Sequence, residues 1–244
     1  MDNDCIDELV ANNKRYRTII DYKSSDKRFS YGKAYAGIML QLLTYLAFLE
    51  REAQALPATQ RFEPAGALYM RIFSPNLNQA QVLKKNSSQE IFKQHKLNGL
   101  LVNDQDFLLT LDQDLAGDAT KAANSSIYPV KRKKARQEGD YQFASSSPTT
   151  NTLLTLDQLN QLVAHDEHLI VAAAQRIFAG DVSLAPARFT DNTSVLAYSD
   201  YKAIMQFDEM LPENNYRPIP ELRLQEVLEL LNNAQQEGDN NGRN

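Results

Sequence analysis

Asp21 and Lys23 flank Tyr22 at the end of an apolar run, Thr18-Ile19-Ile20, and their types and spacing could do chemistry. On an extended strand, residues two apart point to the same face. A carboxylate and an ammonium would then share one small space while Tyr22 points away. The carboxylate can hold a hard divalent cation through oxygen. The ammonium can orient an attacking water or neutralise charge that builds up on a phosphate. An isolated Asp-x-Lys is also common at solvated strand ends, so its weight depends on the elements around it.

Two neighbouring elements would position the pair. Upstream, Ile6 and Leu9-Val10, then Asn12-Asn13, then Tyr16-Arg17-Thr18-Ile19-Ile20 read as a hairpin with its turn at the Asn pair. Asp4 and Asp7 lie on the first strand, and antiparallel pairing can bring Asp4 close to Asp21. Two carboxylates and one lysine would then surround a candidate metal. Downstream, Tyr31 to Glu52 is free of proline, and Ile38, Leu42, Tyr45, Leu46 and Leu49 recur at helical spacing. This predicts one amphipathic helix of about six turns. Gln41 and Tyr45 are four apart and share a face of it. They read either as a polar pair set beside the apolar stripe or as an exposed Gln next to a half-buried core Tyr.

Further along, Leu56-Pro57-Ala58-Thr59 breaks the helix and Ala67 to Phe73 alternates as another strand. Residues 76 to 97 are polar and in part helical, Asp104 to Leu111 is a short helix, and Gly117 to Ser126 is loop-like. Lys131-Arg132-Lys133-Lys134-Ala135-Arg136 is a basic run. It reads as a solvated loop or as a phosphate-contact patch, with the loop the commoner case. Ser145 to Thr150 is a loop. Thr155-Leu156-Asp157-Gln158 is a capping box that opens a helix to Ala179, ended by Gly180. His165 and His168 on that helix have no acidic or thiol partner at metal spacing and read as surface residues. Leu222 to Gln236 is a terminal amphipathic helix and Glu237 to Asn244 a frayed polar tail.

Composition sets the bounds. The chain has 244 residues, 43% hydrophobic and 23% charged, as expected of a globular protein with one sizeable domain. No apolar stretch of about 18 residues and no signal pattern are present, so neither membrane insertion nor secretion is expected. A net charge of −5 argues against a strongly basic nucleic-acid binder. It leaves room for a local basic cleft.

The order Asp4-x-x-Asp7, Ile20-Asp21-Tyr22-Lys23-Ser24-Ser25, then Gln41-Leu42-Leu43-Thr44-Tyr45 resembles the nuclease domain of the RecB family within the PD-(D/E)XK superfamily. It is most similar to the C-terminal part of the AddB family, called RexB in lactic-acid bacteria, the B subunits of two-subunit helicase-nucleases. Pro64 to Tyr69, Asn98 to Val102, Leu111 to Leu115, Pro129 to Lys131 and Tyr201 to Asp208 support the closer match, which runs from about residue 4 to about residue 219. The resemblance implies an α/β, restriction-endonuclease-like fold with a central mixed sheet flanked by helices. It divides the chain into a nuclease domain, 1–219, and a C-terminal helix and polar tail, 220–244.

The same resemblance implies roles. Asp4 and Asp21 would be metal ligands for Mg²⁺, with the Tyr22 carbonyl a third. Lys23 would be the catalytic lysine, and Gln41 and Tyr45 would help to position DNA or the water. Asp7 would be structural. Lys131, Arg132, Lys133 and Lys134 are the candidate nucleic-acid contacts. The implied activity is Mg²⁺-dependent hydrolysis of DNA in double-strand break resection and recombinational repair. The implied partners are DNA and a helicase-nuclease A subunit, AddA or RexA, in the bacterial cytoplasm.

Two departures stand out. Met1 and Asn3 occupy the places of the Gly and Ile before the first Asp, and the usual upstream helix is missing from the sequence. A truncated fragment acting only as a scaffold is the alternative. Relatives in many bacilli carry Cys-x-x-Cys-x(5)-Cys just before the segment that matches Gln206-Phe207-Asp208, and with one distant upstream Cys these hold an iron-sulfur cluster. Leu196, Ser199 and Met205 stand there instead, and Cys5 is the single cysteine. No iron-sulfur cluster is expected. Leu196, Ile204 and Met205 are expected to replace it by packing, with Leu196 and Met205 buried.

Overall fold

Asn12 and Asn13, at φ 47° and 64°, turn β1 (Asp4–Ala11) back onto β2 (Lys14–Lys23). Both are left-handed, as the tight hairpin turn that matches strand twist requires, and Asn is among the few residues that adopt that conformation readily. Asn13→Ala is therefore expected to cost about 1 kcal/mol and Asn13→Gly nothing, measured by urea unfolding.

The computed structural model describes residues 4–72, 95–147, 151–212 and 214–241. They fall into two compact units, Met1–Phe29 with Leu40–Ala164, and Ser30–Met39 with His165–Asn244. In the first, β1, β2, β3 (Glu63–Arg71), β4 (Asn98–Val102) and β8 (Leu153–Leu154) form one sheet in that order. Its pairings run antiparallel, parallel, antiparallel, parallel, so the sheet is mixed as expected. The second half of β2 is buried on both faces, at Thr18, Ile19, Ile20 and Asp21, because helices cover both sides.

On the Asp21 face lies α2 (Gln41–Ala55), whose Glu52 accepts from Arg17 of β2 at 3.0 Å. Its Leu42, Leu46 and Leu49 are 1% exposed or less, each burial contributing about 1.5–3 kcal/mol. On the other face lies α3 (Gln105–Leu111), whose Phe107 packs on Tyr16 with ring centroids 5.2 Å apart. The Asp104 carboxylate caps α3 by accepting from Phe107 N at 3.0 Å and also accepts from the Tyr16 hydroxyl at 3.1 Å. A small antiparallel sheet of β5 (Ala123–Asn124), β6 (Val130–Lys133) and β7 (Gln142–Ser145) completes the unit. β5 thus lies within the expected 117–126 loop.

The second unit contains α1 (Tyr31–Tyr35), the part of α4 (Leu156–Phe178) from His165 onward, and the paired β9 (Ala187–Arg188) and β10 (Arg217–Pro218). The short α5 (Lys202–Met205) and α6 (Leu224–Asn241) follow. The predicted helix from Tyr31 to Glu52 is two helices. Gly37 at φ +78° leaves the helical region and ends the first, so α2 begins at Gln41. The capping box is present as read: Thr155 Oγ1 accepts from Gln158 N at 3.2 Å, and Gln158 Oε1 accepts from Thr155 N at 3.0 Å. Helix α6 runs to Asn241, through part of the expected frayed tail. The expected helical stretch in 76–94 lies outside the described residues.

Candidate functional site

β2 ends at a buried polar cluster. Asp21 is 2% exposed, and its register partners are Asp4 on β1 and Tyr69 on β3. Antiparallel partners sit about 4.5–5.5 Å apart at Cα, so the backbone brings Asp4 and Asp21 together. Asp7 pairs with Thr18 and, three residues from Asp4, alternates to the opposite face. The described ladder with β1 stops at Asp21, whereas that with β3 continues through Tyr22–Met70 and Lys23–Arg71. Tyr22 therefore lies beyond the described end of β1.

Lys23 Nζ sits 2.7 Å from Asp21 Oδ2 and donates to Gln41 Oε1 at 2.7 Å. Gln41 Nε2 in turn donates to the Tyr45 hydroxyl at 2.8 Å. The lysine fixes the amide: an ammonium only donates, so the Gln41 carbonyl must face it and the NH₂ end is left to donate to the Tyr45 oxygen. The Asp21 side chain is 3% exposed and that of Lys23 25%. A carboxylate so far from water is costly alone, and the adjoining ammonium offsets that cost. Asp21, Lys23, Gln41 and Tyr45, read from separate parts of the sequence, thus form one chain of polar contacts where β2 meets the start of α2.

Tyr69 and Arg71 were given no role by sequence alone. Both are on the Asp21 face, by register with Asp21 and Lys23. Tyr69 lies in a segment that supported the family resemblance, but no local signal tells which residue a parallel neighbour sets opposite Asp21. The donors that could hold a cation here are oxygens. Among the described residues, no three His, Cys, Asp or Glu side chains converge as a metal cage.

The basic run is not uniformly solvated. Lys131 to Lys133 are in strand β6. Arg132 is 4% exposed and donates to the carbonyls of Leu115, Gly117 (2.8 Å) and Lys121 (3.1 Å). Its guanidinium is thereby committed to the main chain, which corrects its reading as a nucleic-acid contact. Lys133 and Lys134 are exposed and Lys131 half-buried.

Elsewhere, His165 is half-buried, stacks on Tyr35 at 5.0 Å and makes a 3.0 Å hydrogen bond with the Tyr35 carbonyl, so it packs where a surface position was expected. His168 is exposed. At the positions of the absent cysteines, Leu196 is buried, but Met205 is 36% and Ile204 78% exposed. Leu196, Ser199, Met205 and Phe207 line a hollow of about 330 Å³. The expected burial holds for Leu196 and fails for Met205, because the short α5 leaves it at the rim.

The mixed sheet with a buried Asp and a partly buried Lys at the end of a central strand defines a class. Residues 4–189 match the model of the PD-(D/E)XK nuclease superfamily, and the chain belongs to that superfamily. It is 40% identical over 247 residues to the B subunit of the ATP-dependent helicase/deoxyribonuclease of Latilactobacillus sakei, covering 98% of this chain and 19% of that protein. The proteins of the same name from Lactiplantibacillus plantarum and Enterococcus faecalis are 39% and 31% identical, covering 97% and 96% of this chain and 19% of each relative. The chain thus spans about a fifth of the length of these curated relatives. No helix among the described residues is long and apolar enough to cross a membrane.

Proposed function

We propose that this chain is the nuclease module of the B subunit of a helicase-nuclease, hydrolysing DNA phosphodiester bonds with Mg²⁺ during resection of broken ends. The observation that carries the reading is the continuous contact from Asp21 through Lys23 and Gln41 to Tyr45. The names of the relatives support the DNA substrate and a companion A subunit, and the reading puts the complex in the cytoplasm of a bacterium. Carboxylates from Asp4 and Asp21 with the Tyr22 carbonyl are hard oxygen donors of the kind Mg²⁺ takes. Bound there, Mg²⁺ would supply a Lewis acid and an activated water.

The chain's own groups do the rest. Lys23 carries a proton and positive charge to the phosphate, stabilising the charge that develops on its oxygens. Gln41 accepts from the ammonium and holds it beside Asp21, and Tyr45 accepts from the other end of the Gln41 amide and anchors it. The test is cleavage of linear DNA by this chain, and by an upstream-extended version, with Mg²⁺ and with chelator. Cleavage that needs Mg²⁺ supports the reading; cleavage that persists in chelator sinks it. A scaffold without activity is the second reading. Partner binding without Mg²⁺-dependent cleavage in either version would establish it.

Lys133 and Lys134, exposed beside an Arg132 already committed to the main chain, are expected to contribute nothing to DNA binding. Neutralising both should leave the slope of log K against log salt unchanged, where two phosphate contacts would remove about 1.8. A titration at several salt concentrations checks this.

A further inference from the structure

Tyr69 has no task in the chemistry above, yet its placement is costly. It is 3% exposed, and its hydroxyl is buried without a hydrogen-bond partner among the described residues. A buried hydroxyl left unpaired is destabilising, and phenylalanine would fill the same space without that cost. The residue is the parallel register partner of Asp21, so the two side chains stand on one sheet face. Its ring centroid is 5.5 Å from Lys23 Nζ. A phenol keeps its proton throughout the neutral range, so the hydroxyl remains a donor.

We propose that Tyr69 is a positioning residue: its hydroxyl donates to the Asp21 carboxylate when a divalent cation displaces Lys23 from it. This rests on the nuclease reading of the site. The competition is electrostatic, since an ammonium and a dication repel each other across one carboxylate. Lys23 already donates to Gln41 at 2.7 Å and can withdraw toward it. Asp21 then loses the ammonium contact, and Tyr69 offers a buried donor on the same face to take its place. A carboxylate ligand held by such a second donor is fixed in orientation while the cation is bound, which raises affinity.

The test uses the full 244-residue chain, with Mn²⁺ alone as the probe, and compares wild type, Tyr69→Phe and Asp21→Asn by thermal unfolding and calorimetric titration. Without cation, Tyr69→Phe should melt no lower than wild type, because it loses only an unpaired hydroxyl. Its Mn²⁺ affinity should fall about 10- to 100-fold, as for other outer-shell partners of metal ligands. Wild-type affinity in Tyr69→Phe, alongside lost binding in Asp21→Asn, overturns the proposal and leaves the nuclease reading standing. A lower melting temperature for cation-free Tyr69→Phe also overturns it, since the hydroxyl would then be holding the fold. Mn²⁺ binding undiminished in Asp21→Asn, or absent in wild type, overturns the nuclease reading and this proposal together.

Discussion

Asp21→Asn is expected to lower Mg²⁺-dependent DNA cleavage by more than about 100-fold, with the melting temperature within a few degrees of wild type. Two opposing effects set this outcome. Asparagine keeps the volume of aspartate and one hydrogen-bonding oxygen but supplies no negative charge, so a hard dication loses its main attraction to the end of β2. The fold loses less. Breaking a fully buried ion pair costs about 3–5 kcal/mol because a charge is stranded. Lys23 is not stranded: its side chain is 25% exposed and it also donates to Gln41. The ammonium can turn to water, which confines the loss to a small part of that range. Cleavage assays and thermal unfolding on the same preparation check the pair of outcomes. A large loss of stability would assign Asp21 to the core instead, and unchanged cleavage would remove it from the site.

Much of the site was legible because its parts are local. The Asn12-Asn13 turn fixes the hairpin register, and that register alone sets Asp4 against Asp21. The i, i+2 spacing sets Lys23 on the same face, and i, i+4 spacing lets Gln41 reach Tyr45. What stayed hidden depends on distant pairing or on single backbone conformations. Tyr69 meets Asp21 through a parallel pairing with a register shift between Arg17 and Thr18, which no local pattern encodes. The lack of proline from Tyr31 to Glu52 carried the predicted helix straight through Gly37, where one positive φ divides it. At Met205, apolar character suggested burial, but a four-residue helix cannot cover both of its sides. In the basic run, charge density pointed to solvent, whereas strand alternation at β6 turns Val130 and Arg132 inward and Lys133 outward.

That alternation sets up the other large effect, on stability. Arg132→Ala is expected to destabilise the protein by about 3–5 kcal/mol, lowering the melting temperature by roughly 6–20 °C for a unit of this size. The guanidinium donates to the carbonyls of Leu115, Gly117 and Lys121, which come from the segment between α3 and β5. Bonds from a charged donor are worth about 1.5–3 kcal/mol each, and burial raises the cost of leaving the acceptors unmet. Arg132→Lys should recover only part of the loss, because an ammonium is a point donor and lacks the planar fork that reaches three carbonyls at once. Lys133→Ala, on the neighbouring exposed position, should change stability by less than about 0.5 kcal/mol. Urea unfolding of the three variants separates the cases. Equal, small effects at positions 132 and 133 would return Arg132 to the surface and reopen its role in phosphate contact.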